Sequence, residues 1–311
     1  MNQLAVSVVL TTYQRSLLAK RALQSILEQS FSPSEIIVVE DSGDTDLRDW
    51  LHNLGRDDIN YVRHDSNLGL AAARNTGLRL ASCELIAFLD DDDQWQPTRL
   101  QAQVEHFQSL PDDRKHKLAS LQVGCTVVDA EGKKIADVLP VNQGNLRQSI
   151  IRKGASTPSS CFMFIRSALK AVGGFDEGLV SGIDHDIWMK LAVAGYSNEI
   201  IRRPLVIVTR DARRQMMSDT DRRIEGIAQY VEKWAPTYRE WLGDSRGDTY
   251  ARKYFINVVC RLAAQKLATG DYREGGIAAR AALQRAGRSA GLLFFAVRRL
   301  MRTYLSMAIR S

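Results

Sequence analysis

The stretch Glu84-Leu-Ile-Ala-Phe-Leu-Asp-Asp-Asp-Asp93 indicates the fold more clearly than any other part of this sequence. Residues 85–89 are apolar and have the length of a buried strand. Four consecutive aspartates follow, so the strand would bring a concentrated negative charge to one edge of a sheet. Carboxylates this close repel one another unless a cation or several donors satisfy them, and their oxygens suit Mg2+ or Mn2+. The alternative interpretation is an acidic, solvated turn that follows a strand.

The sequence on both sides of this strand alternates short β-rich runs with amphipathic stretches. Strands are predicted at residues 6–10, 35–40, 59–63 and 85–89, and helices at residues 17–29, 70–81 and 98–109. This order is typical of an α/β fold in which a mostly parallel, Rossmann-like sheet is flanked by helices. Ligands bind to such sheets beyond the carboxyl ends of the strands. Because each predicted strand ends in polar residues, we expect one site at that edge.

The pattern becomes less regular after residue 121 and then changes to helix. A hairpin is predicted from residues 123–128 and 134–138, followed by a strand at 160–165, a helix at 184–194 and a strand at 205–209. Beyond about residue 221 the pattern is almost wholly helical, with a helical hairpin at 254–268 and 272–286. We therefore predict an α/β domain at residues 1–220 and a helical C-terminal region at residues 221–311.

The composition is that of a soluble globular protein. Of 311 residues, 45% are hydrophobic and 25% are charged, and no apolar run is long enough to span a bilayer. The first residues lack the features of a signal peptide, and the four cysteines are too scattered for a metal motif. These features predict a reducing, cytoplasmic location.

The positive charge is concentrated in the C-terminal third. Residues 221–311 contain 17 lysines and arginines against 8 acidic residues, whereas residues 1–220 contain 25 against 28. On a helical wheel, residues 288–311 place arginines on one side and large apolar residues on the other. This segment is interpreted either as a basic amphipathic helix in peripheral contact with an anionic membrane, or as a last helix docked on the protein.

Six short segments occur in the order and spacing of a known family. They are Ser7-Val-Val-Leu-Thr-Thr-Tyr-Gln-Arg15, Ile36-Ile-Val-Val-Glu-Asp-Ser42, Asn67-Leu-Gly-Leu-Ala-Ala-Ala-Arg-Asn-Thr-Gly77, Phe88-Leu-Asp-Asp-Asp-Asp93, Val172-Gly-Gly-Phe-Asp-Glu177 and Asp184-His-Asp-Ile-Trp-Met-Lys190. With these motifs, residues 4–220 resemble glycosyltransferase family 2, whose members have the GT-A fold. A single motif would be weak evidence, but six in order are specific. The resemblance implies that residues 1–220 are a catalytic domain that uses a nucleotide sugar.

The resemblance also implies a set of donor-binding residues. They are Thr11, Tyr13, Arg15, Asp41, Asn67, Arg74, Asp90 and Asp91. Thr11, Tyr13 and Asp41 would hold the nucleobase and ribose, and the alternative for Asp41 is an Asx-type turn. Arg74 lies on the helix that Asn67 opens, where it would contact the nucleotide, pair with Asp65 or Asp90, or do both. Residue 40 is a glutamate where the family usually has an aspartate.

The aspartate run corresponds to the family's DXD-type motif. Asp92 aligns with the metal ligand, Asp91 with the position that contacts the ribose, and Asp90 with a supporting carboxylate. Asp93 is expected to cap the next helix or loop and to be expendable. A divalent cofactor, Mn2+ or Mg2+, would neutralise the charge that develops on the departing nucleoside diphosphate.

Asp184 is the candidate catalytic base that the resemblance implies, since it begins a helix opposite the expected leaving group. Ile183 stands where the family usually has an acidic residue, so Asp186 is a second candidate. The structural alternative for Asp184 is a helix N-cap. The polar residues 210–218 are interpreted either as a loop over the diphosphate or as a solvated loop.

The resemblance therefore implies an inverting, metal-dependent glycosyltransferase. It would move a sugar from a nucleotide-diphosphate donor to a hydroxyl of a saccharide or lipid-linked acceptor, in the synthesis of a cell-surface polysaccharide or glycolipid. One alternative is a nucleotidyltransferase acting on sugar phosphates, but the segment after the first strand lacks a glycine-rich phosphate loop. The other is a non-catalytic scaffold that binds a nucleotide or nucleic acid. The basic tail has little aromatic interleaving for base stacking, so no nucleic-acid partner is expected.

Overall fold

The computed structural model of the chain describes residues 4–43, 46–152, 158–209 and 219–308. These residues belong to two compact units, one made of residues 4–177 and 183–209 and the other of residues 178–182 and 219–308. The first unit has a mixed α/β architecture, and the second unit is helical.

The first unit contains ten strands and eight α-helices among its described residues. The strands are β1 (Val6–Thr12), β2 (Glu35–Glu40), β3 (Ile59–Arg63), β4 (Leu85–Asp90), β5 (Asp93–Trp95), β6 (Leu118–Val128), β7 (Lys134–Val138), β8 (Gly144–Asn145), β9 (Phe162–Ile165) and β10 (Ser197–Thr209). The helices are α1 (Ser16–Leu27), α2 (Asp46–Leu54), α3 (Leu70–Leu80), α4 (Arg99–Ser109), α5 (Asp112–Lys115), α6 (Leu146–Arg152), α7 (Arg166–Ala171) and α8 (Ile183–Val193). A short 3-10 helix at Ser159–Cys161 precedes β9.

One mixed sheet contains all of these strands. Its main path runs β3-β2-β1-β4-β9-β6-β10-β5, with β7 paired to β6 and β8 paired to β10. The four strands β3, β2, β1 and β4 are parallel to one another. β9 is antiparallel to its two neighbours, β4 and β6, whereas β6 and β10 are parallel to each other. The carboxyl ends of β1, β2 and β4 therefore lie at one edge of the sheet, as the sequence predicted.

Helix α3 packs closely on the buried strand β1. All seven residues of β1 are buried. At Gly77 an added Cβ would lie only 2.3 Å from Cγ1 of Val9, so the helix backbone lies directly against the strand. A larger side chain at this position would displace α3 from the sheet. Glycine here therefore determines the position of the helix that carries Arg74.

The structure confirms most of the predicted elements of this unit. The predicted strands at residues 35–40 and 59–63 match β2 and β3, and most other predicted ends differ by one or two residues. The strand predicted at residues 205–209 is only the second part of β10, and the hairpin strand predicted at 123–128 begins earlier, as β6. Five short elements were not predicted, namely α2, α5, α6, β5 and β8. The omission of β5 matters most, because that strand includes the end of the aspartate run.

The second unit consists of four long helices in its described residues. They are α9 (Thr220–Leu242), α10 (Asp244–Ala268), α11 (Tyr272–Ala286) and α12 (Ala290–Ala308). The side chains of Asp219 and Asp271 cap α9 and α11 by accepting backbone N–H groups. The central helix α10 packs against the other three. None of the helices in the described part of the chain is both long and apolar enough to span a membrane.

Candidate active site

The candidate site lies at the sheet edge where β1, β2 and β4 end. The pairing register places Thr11 of β1 beside Asp90 of β4, and Thr12 beside Glu40 of β2. Thr11 and Glu40 are buried, and Oγ1 of Thr11 and Oε1 of Glu40 have no hydrogen-bond partner among the described residues. Because buried polar atoms rarely stay unpaired, these two atoms are candidates for contact with a bound molecule.

The aspartate run forms a turn between two strands. Asp90 is the last residue of β4 and Asp93 is the first residue of β5, so Asp91 and Asp92 form the connection. The carboxylate of Asp91 is nearly buried and accepts a hydrogen bond of 2.7 Å from Oγ1 of Thr12. By contrast, 44% of the Asp92 side chain is exposed. Asp92 is therefore the aspartate of this turn that a ligand can reach most easily.

Arg15 supplies positive charge next to this turn. Its Nη1 atom lies 3.3 Å from Oδ1 of Asp91 and 3.5 Å from Oδ2 of Asp92. Burial nevertheless raises the pKa of Asp91 to about 6, against the lowering effects of Thr12 and Arg15. Burial and the charge of Asp90 also raise the pKa of Asp92. A further cation at the turn would stabilise the charged form of both carboxylates.

The role predicted for Asp93 is wrong. Asp93 does not cap the following helix or loop, because it begins β5, which pairs with β10, and α4 starts only at Arg99. The side chain of Asp93 is buried, and burial together with the charges of Asp92 and Asp90 raises its pKa well above the usual range. A three-residue strand is too short to produce a recognisable alternation in the sequence. Asp93 therefore belongs to the interior of the unit.

Arg74 is the centre of a buried charge network at this edge. Its side chain is 0% exposed, and Nη2 donates to Oδ1 of Asp90 at 2.7 Å and to Oγ of Ser159 at 2.6 Å. Nη1 donates to Oδ1 of Asp184, and the guanidinium lies 5.4 Å from the ring centroid of Phe175. Burial lowers the pKa of Arg74, but the charges of Asp184 and Asp90 outweigh burial and raise it. One buried cation thus joins the end of β4 to the start of α8.

The two candidates for the catalytic base have different surroundings. Because α8 begins at Ile183, Asp184 is the second residue of the helix rather than its N-cap, and 47% of its side chain is exposed. Asp186 is fully buried, and its Oδ2 atom lies 3.8 Å from Nζ of Lys190. A general base must come within hydrogen-bond reach of the proton that it accepts. The geometry therefore favours Asp184.

Asp41 connects the end of β2 to the loop before α3. Its Oδ1 atom accepts a hydrogen bond of 2.8 Å from the amide of Leu68, and Oδ2 accepts one of 2.7 Å from the amide of Gly69. Nδ1 of His64 also lies 2.8 Å from Oδ1. A carboxylate has roughly four acceptor positions, so Oδ2 retains capacity for one more donor. Asp41 therefore holds the loop in place and can still accept a hydrogen bond from a ligand.

The predicted donor-binding residues are distributed over three local networks and three separate positions, one of which is Thr11, whose Oγ1 atom is unpaired among the described residues. Arg15 joins Asp91 and Asp92, Arg74 joins Asp90 to the start of α8, and Asp41 holds the loop before α3. Tyr13 is half-buried directly after β1, and Asn67 is exposed in the loop before α3. In the described part of the chain, neither of these two side chains takes part in the three networks. The polar stretch at residues 210–218 lies outside the described residues.

Three residues at this edge were not recognised from the sequence. Thr12 holds Asp91, Glu40 accepts a hydrogen bond from the hydroxyl of Tyr61, and Ser159 donates to Oδ2 of Asp90 at 3.1 Å. Thr12 could have been found, because it adjoins Thr11 at the end of a predicted strand. Ser159 could not, because 69 positions separate it from Asp90 and only the fold brings them together.

The aspartate turn has the donor atoms that a hard cation prefers, but it does not form a complete ligand set. Within the described ranges, no group of three or more His, Cys, Asp or Glu side chains is arranged to hold a metal ion. Mg2+ at phosphate sites commonly uses one or two carboxylates together with substrate phosphates and waters. The partly exposed Asp92 beside the buried Asp91 suits that arrangement. The residues present therefore fit a divalent ion that is shared with a diphosphate.

Solved structures identify the class of fold. TarS of Staphylococcus aureus (residues 1–349, in complex with UDP-GlcNAc) matches with a TM-score of 0.63 and 17% identity, over 98% of this chain and 91% of that chain. The mannosyltransferase PcManGT of Pyrobaculum calidifontis, in complex with GDP-Man and Mn2+, matches with a TM-score of 0.57 and 17% identity, over 98% of this chain and 86% of that chain. The first unit therefore has the GT-A fold, a mostly parallel α/β sheet, and a helical C-terminal region follows it.

Sequence comparison identifies the family. Residues 7–173 match the model of Glycosyl transferase family 2, and the chain belongs to this family. A protein of Escherichia coli named "Putative colanic acid biosynthesis glycosyl transferase WcaA" is 37% identical over 111 residues, which are 35% of this chain and 40% of that protein. The GalNAc(5)-diNAcBac-PP-undecaprenol beta-1,3-glucosyltransferase of Campylobacter jejuni is 38% identical over 92 residues, 29% of this chain and 30% of that protein. The matched regions thus cover less than half of these relatives.

Proposed function

We propose that this chain is an inverting, metal-dependent glycosyltransferase whose catalytic domain comprises residues 1–220. It transfers a sugar from a nucleotide-diphosphate donor to a hydroxyl of a saccharide or lipid-linked acceptor, in the synthesis of a cell-surface polysaccharide or glycolipid. The observation that carries the proposal is the buried Arg74, which links Asp90 to the partly exposed Asp184 at one sheet edge. Membership of family 2, and the nucleotide sugars named with TarS and PcManGT, support the choice of donor.

The donor is proposed to lie along the carboxyl ends of β1, β2 and β4. The residues assigned to donor binding are Thr11, Tyr13, Arg15, Asp41, Asn67, Arg74, Asp90 and Asp91. The unpaired Oγ1 of Thr11 and the remaining acceptor position of Asp41 support contacts with the polar groups of a nucleoside. Mn2+ or Mg2+ held by Asp92 and the donor phosphates would act as a Lewis acid that stabilises the leaving nucleoside diphosphate.

Asp184 is proposed to act as the general base for the acceptor. Its carboxylate accepts the proton of the acceptor hydroxyl while the oxygen attacks the anomeric carbon from the side opposite the diphosphate. A single displacement of this kind inverts the configuration at that carbon. Arg74 holds one oxygen of Asp184, which orients the carboxylate and leaves its exposed part for the acceptor.

The lipid-linked acceptor is proposed because of the relative from Campylobacter jejuni, whose name contains PP-undecaprenol. An enzyme that uses such an acceptor works at a membrane surface. We therefore propose a cytoplasmic protein that contacts the membrane peripherally through residues 288–311, where the basic amphipathic pattern occurs.

The proposal is tested by incubating the purified protein with a panel of nucleotide sugars and Mn2+. We expect release of the nucleoside diphosphate from one donor, and we expect EDTA to stop it. Asp92→Asn should weaken the affinity for Mn2+, measured through Mn2+-dependent nucleotide binding, by at least roughly tenfold. Even partners outside the ligand shell change metal affinity by about 10–100-fold. An absence of turnover together with metal-independent nucleotide binding would refute the assignment.

A further inference from the structure

One face of helix α12 packs against other helices of the second unit. Leu292, Ala296 and Thr303 are buried on this face, and α12 packs on α10. The Sγ atom of Cys260 on α10 lies 3.5 Å from the carbonyl oxygen of Ala296, which shows how closely the two helices approach. The sequence left open whether this helix docks on the protein or contacts a membrane. Docking is observed, but it uses only one side of the helix.

A second apolar face of α12 is exposed. Its members are Phe294 (68% exposed), Val297 (47%), Met301 (58%), Tyr304 (37%) and Leu305 (52%). Their spacing of three, four, three and one residues places them on one side of a helix. They are five of the twelve large exposed hydrophobic residues of the described chain. Isolated exposed apolar residues are normal, but a contiguous stripe of this kind marks a contact surface.

Arginines border this exposed face. Arg298 and Arg302 are exposed and follow Phe294 by four and eight positions, so at 3.6 residues per turn they lie about 40° and 80° from it around the helix. No aspartate or glutamate occurs within α12 to neutralise them. The surface therefore combines a row of large apolar side chains with a positively charged border.

We propose that this face of α12, consisting of the five apolar residues and the two bordering arginines, binds the surface of an anionic phospholipid membrane. The apolar side chains enter the interface, and the arginines contact lipid phosphates, as in helices that lie in the membrane plane. A second copy of the chain is the competing occupant. A symmetric contact would place two positively charged patches against each other, and because α12 contains no acidic residue to pair with the arginines, such a contact is disfavoured. This face is the surface by which the proposed enzyme reaches a lipid-linked acceptor, and its assignment rests on the proposed function only in that respect.

The test is sedimentation of the full chain with phosphatidylcholine vesicles, with and without phosphatidylglycerol. We expect binding to the vesicles that contain phosphatidylglycerol and a decrease in binding at high salt. The paired change Phe294→Asp and Met301→Asp should abolish this binding. Arg298→Ala and Arg302→Ala should each weaken it by roughly fivefold, since each basic residue near an anionic surface contributes about 1 kcal/mol. The changes are at exposed positions, so thermal melting should show an intact fold.

The control is Tyr272→Asp, which adds one aspartate, against two in the test variant, at an exposed aromatic position (71% exposed) on α11. This variant should bind vesicles as the unaltered chain does. Equal vesicle binding by the Phe294→Asp, Met301→Asp variant, or no binding by the unaltered chain, would overturn the proposal. The proposal would also be overturned if the unaltered chain formed a dimer in ultracentrifugation and the Phe294→Asp, Met301→Asp variant dissociated that dimer without changing vesicle binding. Transfer to a soluble acceptor does not involve α12. If the unaltered chain failed to carry out this transfer, the result would count against the proposed function and not against this membrane-binding surface.

Discussion

Two fully buried arginines of the first unit are placed in contrasting surroundings. Arg74 meets two carboxylates, Asp90 and Asp184, at the carboxyl edge of the sheet. Arg99 meets backbone carbonyl oxygens instead, at 3.2 Å and 2.8 Å, and lies 3.8 Å from the ring centroid of Trp95. Burial lowers the pKa of Arg99, whereas the carboxylates raise that of Arg74. The two positions thus use the same side chain in different ways.

The difference separates a buried charge at the candidate site from a buried charge of the interior. Both carboxylates that Arg74 holds are partly exposed, with 27% and 47% of their side chains accessible. They therefore face solvent at the sheet edge, while the buried guanidinium of Arg74 fixes their positions. Arg99 contacts only groups of the interior, and its Nε and Nη1 atoms have no hydrogen-bond partner in the described part of the chain. We infer that the Arg74 network orients reactive groups and that Arg99 fills and rigidifies the framework.

The largest expected effect comes from removing a carboxylate of the Arg74 network. Asp184→Asn should lower kcat by about 10²–10⁴-fold, the usual contribution of a general base, and leave donor binding intact. Trp95→Phe, which changes a contact of Arg99, is the matched control and should retain turnover per folded molecule. The rates are measured by single-turnover transfer and the binding by calorimetry. Full activity in Asp184→Asn would exclude this residue as the base.

The second expected effect concerns stability. Arg74→Met should lower the free energy of unfolding by roughly 3 kcal/mol, the low end for breaking a buried ion pair, because Asp90 and Asp184 stay partly exposed. Arg99→Met should change it by less than about 1 kcal/mol, because an apolar side chain of similar length relieves a buried, incompletely paired charge. Urea denaturation followed by circular dichroism gives both values. Equal losses of unfolding free energy in the two variants would show that the carboxylates around Arg74 do not make its contribution to stability different from that of Arg99.

The smallest expected effect is at Ser159, which bridges Arg74 and Asp90. Ser159→Ala removes two hydrogen bonds to charged groups and should reduce the free energy of unfolding by about 1–3 kcal/mol, with a several-fold decrease in kcat. Ser25→Ala provides the control, since the Oγ atom of Ser25 donates to the carbonyl of Ala22 in α1 and accepts from the amide of Trp95 in β5, and its loss should alter stability without altering kcat. A variant of Ser159 with unchanged kcat would confine this residue to a structural role.

The arrangement of the parallel strands could be predicted because it follows from patterns that are local in the sequence. The apolar runs of β1, β2 and β4 and their polar ends are continuous in sequence, and parallel strands bring such ends to one edge. The same reasoning placed the whole aspartate run at that edge. Short elements such as β5 carry no such pattern, and this is why the interior position of Asp93 was missed.

The contacts within the site could not be predicted to the same degree. Arg74 and Asp184 are 110 positions apart, so only the packing of α3 and α8 shows that they form a pair. The sequence offered Asp65 and Asp90 as partners for Arg74, and only one of them is observed. The hydrogen bonds from the loop before α3 to Asp41 were missed for a similar reason, because a backbone amide leaves no signature in the residue type.

The most direct test of this account compares Arg74→Lys with Arg99→Lys in nucleotide-sugar turnover, with the folded fraction of each variant determined by circular dichroism. Each change keeps the positive charge and removes the planar fork that can hold two groups at once. We predict that Arg74→Lys turns over at least about tenfold more slowly than Arg99→Lys per folded molecule, because a misplaced reactive group can cost about 100-fold in rate. Equal turnover by the two variants would contradict the claim that Arg74 organises the reactive edge.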